Sequence, residues 1–474
     1  MVLTSALACR SESVPTGAAA PEHRQALHAG EQGPAAPADV SHGPAAPLVP
    51  VHGEHAPVIA AAHAVAVAHV LGAGTVDPTA VIEGGDAPPW TFVPIEPGSS
   101  AAPLQRLHAA LARSDREPVR VAMFGASGTA ADTHTAYVRA YLQARFGDGG
   151  PGWVPLGRAH AWSRHAEMTL AASSGWQTLH GVGHGHHGDG RLGLAGLAFE
   201  ARGARRWVEL RPRGDRARAV TRIEVFALAQ PGGGRMELRI DDGPARVLDT
   251  AAATATLLRE RIEVPAGPHR LRITTRGGGP VRLFGAVFEG DHGVVVDTLG
   301  VDGARARDWD RWDPSLWRAS LEARAPQLVT LAYGSNEAVD DEPIDAVVAA
   351  IAADVAATRA AAPAADVVLL GPGDFPLRDA AGVRPRPRLA AIVGALRAWQ
   401  TAQPLGLWDE LAFMGGPGSV AAWVTHVPSL ARDDHLHLRP QGAAVKGHFL
   451  CDALLFSYDA DRAAASPSGP APPR

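Results

Sequence analysis

Apolar residues along the chain keep three rhythms in turn, and each predicts its own kind of element. From Leu104, "LQRLHAALARS" repeats at helical spacing, "VRVAMF" is a continuous apolar run of strand length, and "AYVRAYLQARF" returns to the helical period. Together they predict the opening unit of an α/β sheet. From about Gly152 to Gly290 the runs become short and alternating. "RMELRI" precedes "DDGP", "RERIEV" precedes "PAGP", "HRLRITT" precedes "RGGGP", and "VRLFGAVFEG" follows. Alternation split by Gly, Pro and Asp turns predicts an all-β sandwich. After Gly290 the first rhythm resumes. Strand-like "GVVVDTLG", "QLVTLAYG" and "DVVLLGPGD" alternate with helix-like "SLWRASLEAR", "IDAVVAAIAADVAATRAA" and "RLAAIVGALRAWQ". Continuously apolar strands between helices predict a parallel sheet covered on both faces.

The expected organisation is an α/β domain in two pieces, 56–150 and 291–462, with a β-sandwich, 151–290, inserted between them. Residues 1–55 are rich in Ala, Pro, Gly and His without a period and read as a tether; 463–474 read as a disordered tail. Residues 56–100 carry no clear pattern. "PVIAAAHAVAVAHVLGAG" comes nearest to a membrane span, but its length and histidines argue against one.

Composition sharpens this picture in three places. With 46% hydrophobic and 20% charged residues over 474 positions, the chain can bury a sizeable core. A net charge of -5 excludes the basic footprint of a nucleic-acid binder. Only one of the 44 basic residues is a lysine, Lys446, which reads as a composition bias toward arginine. Cys9 and Cys451 are the two cysteines, so no disulfide framework or CxxC metal site is expected. Cys451 sits in apolar "GHFLCDALLF" and reads as a buried small residue. Cys9 follows "LTSALA" and resembles the lipidated cysteine of a bacterial lipoprotein signal. Leu7 stands two residues before it rather than three, and a basic n-region is missing. Lipid anchoring and an incidental cysteine both stay open.

Candidate chemistry follows the strands. In a parallel α/β sheet, ligands sit at the carboxyl ends of the strands. Ser127 follows the first strand in "FGASGTAAD", Gly303 follows the second in "GVDGA", and Asn336 follows the third in "YGSNEA". Asp434 and His437 stand near the chain end in "DDHLHLRPQG". A serine hydroxyl needs a base, and His437 fits that role. Asp434, three residues earlier, can fix its tautomer. The amides of Ser127 and Gly303 and the side chain of Asn336 can serve a developing oxyanion. The helix predicted behind Ser127 would add its positive end. Asp433 and His435 are neighbours that confuse the assignment.

These blocks, in this order, resemble the SGNH (GDSL-type) hydrolases, with matching segments from about Leu104 to Ala460. "ARFGDGGPGWVPLGR", "VVVDTLGVDGARA", "LLGPGD" and "MGGPGS" are similar to the cell-envelope branch that includes peptidoglycan O-acetylesterases. The resemblance implies a three-layer α/β/α, flavodoxin-like SGNH domain with an inserted carbohydrate-binding-module-like sandwich. It implies a catalytic Ser127, Asp434 and His437, an oxyanion hole from Ser127, Gly303 and Asn336, and no metal or organic cofactor. The implied substrate is an acetylated glycan, peptidoglycan first, and the implied location is the cell envelope. The first block departs from the family's Gly-Asp-Ser-His: here Ala126 and Gly128 flank the serine, which puts its positioning in question. The rival functions are acetyl ester hydrolysis on another polysaccharide, lipid ester or thioester hydrolysis, O-acetyl transfer, and glycan binding without catalysis. Two other features read as non-catalytic. "LHGVGHGHHGDG", with His180, His184, His186, His187 and Asp189, is too glycine-rich to suggest a preformed metal site. Trp309, Trp312 and Trp317 read as core and cap residues rather than a sugar platform.

Overall fold

The computed structural model describes residues 56–72, 89–160, 163–183, 188–214, 216–380 and 382–465. Cys9 and the tether lie outside them, as do His184, His186 and His187. Five strands form a parallel sheet in the spatial order Gly293–Gly300, Pro118–Gly125, Leu328–Ala332, Asp366–Leu370 and Gly406–Trp408. The short strand Glu96–Pro97 closes the far edge antiparallel. In chain order the parallel strands run 2-1-3-4-5, the flavodoxin-like arrangement. The order reverses between Pro118–Gly125 and Leu328–Ala332, and a crevice is expected outside the carboxyl ends of those two strands.

Both faces of the sheet are covered, as continuous apolar strands require. Val119, Val121 and Met123 point to one side with Val294 and Val368; they pack on helices His134–Phe146 and Pro440–Ala465 through Tyr137, Tyr141, Val445 and Leu450. Ala122 and Phe124 point to the other side with Val329 and Leu369; they pack on helices Pro314–Arg324, Ile344–Ala361 and Pro387–Thr401. The alternation is the period of two built into a strand. Trp309, Trp312 and Trp317 belong to this second core, between 4% and 9% exposed, with Trp309 stacked on Trp312. They are core residues, as the sequence suggested.

The sandwich pairs two antiparallel sheets. One has the order Arg246–Asp249, Arg235–Ile240, Leu271–Gly277, Ala204–Pro212, Met168–Ala172. The other has Thr256–Glu263, Arg222–Ala229, Val281–Glu289, Leu197–Ala201, Trp176–His180, with Gly152–Pro155 also on Val281–Glu289. Strand Val281–Glu289 passes almost directly into Gly293–Gly300 of the α/β sheet. At that junction the Glu289 carboxylate, 0% exposed, pairs with Arg120, Arg222 and Arg324, and Arg324 also grips Asp297 at 2.7 Å. Burial pushes the Glu289 carboxyl up, but Arg324, Arg120 and Arg222 outweigh it and hold it well below the usual range.

Two elements had no clear sequence signal. Helix Ala56–Leu71 hides its pattern because alanine fills both faces. Ile59, Ala62, Ala66 and Val67 face the core, while Val58 and Val65 are about half exposed. Strand Gly406–Trp408 is only three residues long.

Candidate active site

The crevice holds a cavity of about 480 Å³ lined by Ser127, Asn336, Asp434 and His437, which are drawn from three separate stretches of chain. Ser127 stands just past strand Pro118–Gly125. Glycines at two strand ends let its turn settle on the sheet: a Cβ at Gly125 would collide with Thr129, and one at Gly300 with the Ala130 backbone. Ser127 Oγ lies 3.0 Å from His437 Nε2, and His437 Nδ1 lies 2.9 Å from Asp434 Oδ2. The Asp434 Oδ1 atom accepts from the His437 and Leu436 amides at 2.9 and 3.0 Å. Partial burial raises the Asp434 carboxyl, but its bonds to the amide and ring of His437 prevail and leave it lowered. The tight turn between the two residues places His435 at φ 57°, a conformation rare outside glycine. His435 Nδ1 bonds the Asp433 carbonyl, and the Asp433 carboxylate faces Arg439 at 3.6 Å. Neither neighbour joins the relay.

Asn336 Nδ2 donates to the Ala304 carbonyl at 2.9 Å, which leaves its second N–H for a ligand. Gly303, at φ 75°, lies one residue behind the wall; Ala304 lines the cavity. Glu337, absent from the sequence reading, binds the two loops together. Its carboxylate accepts from the Ala306 amide and the Gly334 amide, both at 2.9 Å. Its signal was a carboxylate beside the asparagine in "YGSNEA".

One expectation changes here. The helix behind Ser127 is a single turn, Ser127–Ala130; Asp132, at φ 44°, interrupts it, and the long helix begins at His134. One turn carries little of a helix dipole, so that contribution falls away. Behind the turn that carries Ala126 stands Asp132. Its buried carboxylate accepts from Thr135 Oγ1 at 2.7 Å, Thr298 Oγ1 at 2.9 Å, Arg139 Nη2 at 2.9 Å and the Ala166 amide at 2.6 Å. These bonds brace the chain directly behind the serine turn.

Glu167 lies beside this network. Burial is the main cause that raises its carboxyl from 4.5 to about 7, with Arg139 opposing. The folded state therefore holds this proton more tightly than the unfolded chain does. The associated stability is complete below pH 4.5 and is lost as pH rises through about 7. Glu167→Gln should melt close to wild type at pH 4 and be more stable than wild type at pH 8, by roughly 3 kcal/mol. Thermal melts at the two pH values measure this, and an equal gap at both would refute it.

One group among the described residues has ligands spaced for a metal: His63, His448 and Asp452, all within 4.8 Å. The imidazoles stack at 3.7 Å, so their lone pairs run side by side toward the shared carboxylate rather than converging on an ion. His63 is already bonded through both ring nitrogens, to Tyr137 Oη at 2.9 Å and Asp452 Oδ1 at 3.0 Å. In the histidine-rich loop, Asp189 is taken by Arg282 at 2.6 Å.

No family model and no curated protein matches the sequence. Among solved structures, a peptidoglycan O-acetylesterase aligns with a TM-score of 0.64 and 22% identity, over 78% of this chain and 99% of that one. A family two carbohydrate esterase from Cellvibrio japonicus aligns over 61% of this chain and 99% of its own, at 11% identity and a TM-score of only 0.24. A G-D-S-L family lipolytic protein from Desulfitobacterium hafniense covers 34% of this chain and 81% of its own, at 14% identity and 0.26. The first likeness establishes the fold: a flavodoxin-like α/β sheet and a β-sandwich, matched together along nearly the whole length of one esterase.

Proposed function

We propose that the protein is a serine esterase that removes O-acetyl groups from a cell-envelope glycan, with peptidoglycan the favoured polymer. The observation that carries this is the aligned Ser127–His437–Asp434 relay opening into a cavity walled by the Asn336 loop. Ser127 Oγ attacks the acetyl carbonyl as His437 Nε2 takes its proton. Asp434 holds the other ring nitrogen and stabilises the imidazolium. The Ser127 amide and the free N–H of Asn336, both on the cavity wall, receive the oxyanion. Collapse expels the sugar hydroxyl, protonated by His437, and leaves an acetyl-enzyme. Water, deprotonated by the same histidine, then releases acetate.

Several observations favour this reading over its rivals. The cavity also carries His134, Asp374, Glu410 and Lys446 on its wall, a poor surface for a long acyl chain. Arg164 and Arg432, both exposed, line the same cavity and suit a polymer with carboxylates, as peptidoglycan has on its peptide stems. The side chains of His437 and Asp434 are 36% and 47% exposed, so water reaches the acetyl-enzyme; that favours hydrolysis over acetyl transfer. The fold shared with a peptidoglycan O-acetylesterase agrees. No described helix is long and apolar enough to cross a membrane, and Cys9 lipidation would supply the anchor to the envelope.

Acetate release tests the proposal. O-acetylated peptidoglycan should be a better substrate than acetylated xylan. Among p-nitrophenyl esters, acetyl should exceed octanoyl by at least about ten-fold in kcat/KM. A preference for octanoyl, or no acetate from either glycan, would sink it.

A further inference from the structure

Part of the cavity wall lies outside the relay and is left with unfilled hydrogen-bonding capacity. His134 and Asp374, each 3% exposed, line it. Asp374 Oδ2 accepts from the Val420 amide at 2.9 Å, but its Oδ1 has no partner; neither does His134 Nε2. Buried polar atoms are nearly always paired, so two orphans on one cavity mark a place where a polar group is missing.

Lys446 and Glu410 line the same cavity, and Lys446 Nζ donates to Glu410 Oε2 at 2.7 Å. The pair is about 10% exposed at each side chain. This bond uses one of the three ammonium N–H groups. Lys446 is also the single lysine of the chain. Every other basic position is arginine, so composition alone would have placed arginine here. An ammonium differs from a guanidinium in being compact, with donors that swivel rather than a fixed planar fork. Close packing fits that need: a Cβ on Gly373 would come within 2.9 Å of both Glu410 Oε1 and Met414 Sδ.

We propose that His134, Asp374, Glu410 and Lys446 form a sugar subsite, which takes a neutral ring bearing hydroxyl or amide N–H groups beside the acetylated residue. This rests on the esterase reading above. The ring's donors meet Asp374 Oδ1 and His134 Nε2, directly or through one retained water, and its acceptors meet the remaining Lys446 donors. A carboxylated ring is disfavoured, because Lys446 is already neutralised by Glu410 and Asp374 would repel it.

The test compares wild type, Asp374→Asn and Lys446→Arg on p-nitrophenyl acetate and on soluble O-acetylated peptidoglycan fragments. Thermal melts check folding. Asp374→Asn keeps the size of the side chain, so it remains informative if Lys446→Arg does not fold. In both variants kcat/KM on the glycan should fall at least about ten-fold further than on p-nitrophenyl acetate, chiefly through KM. Parallel losses on both substrates would assign the group a structural role and overturn the subsite. So would an unchanged KM on the glycan. A wild type that cleaves p-nitrophenyl acetate but no acetylated glycan would instead overturn the glycan-deacetylation reading on which the subsite rests.

Discussion

Ser127→Ala should abolish acetate release, with kcat falling by about 10,000-fold or more while the melting temperature stays close to wild type. The hydroxyl is small and touches His437 at the edge of a cavity, so its removal opens no hole in the core. Residual turnover would come from the oxyanion donors and substrate binding alone. A fluorophosphonate probe should label wild type and not the variant. Asp434→Asn should cost less than the serine, because the imidazole keeps a partner but loses its preferred tautomer. Wild-type labelling that survives in Ser127→Ala would move the nucleophile elsewhere.

The second large effect concerns stability. Glu289→Gln should lower the unfolding free energy by about 3–5 kcal/mol, because it leaves buried guanidinium charge uncompensated. Arg324 is 1% exposed and keeps only Asp297; Arg222 is 7% exposed and keeps Glu224. The melting temperature should fall by about 10 °C, and a shift under about 2 °C would refute the account. The depressed Glu289 carboxyl adds a pH signature. Its contribution is present above the ordinary carboxylate range and is lost as pH falls through the folded value, so wild type should lose its advantage over the variant in strong acid.

Much of this architecture was legible because its signals are local. Strand Arg235–Ile240 coincides with "RMELRI", and strand Gly293–Gly300 with "GVVVDTLG". The relay was legible because Asp434 and His437 sit within one turn of each other and Ser127 follows an unmistakable apolar strand. What the sequence hid is relational. Glu337 matters because it bridges two loops 31 residues apart at its Ala306 bond, a distance no local pattern reports. Asp132 carried no signal of its own, because its partner Thr298 lies 166 residues on. Lys446 looked like a quirk of composition, and only its place on the cavity wall gave it a partner.

Ser127 and His437 are 310 residues apart, and the whole sandwich is threaded between them. A ribosome therefore releases Ser127 long before His437. Loop closure over so long a span comes late, after local strands and helices have formed. The nascent chain thus carries Ser127 without its histidine partner through most of its synthesis, and on the proposed mechanism the serine is activated only when the segment leading into helix Pro440–Ala465 docks. On the proposed mechanism, a chain truncated between the sandwich and Asp434 lacks the base, and its serine stays unactivated.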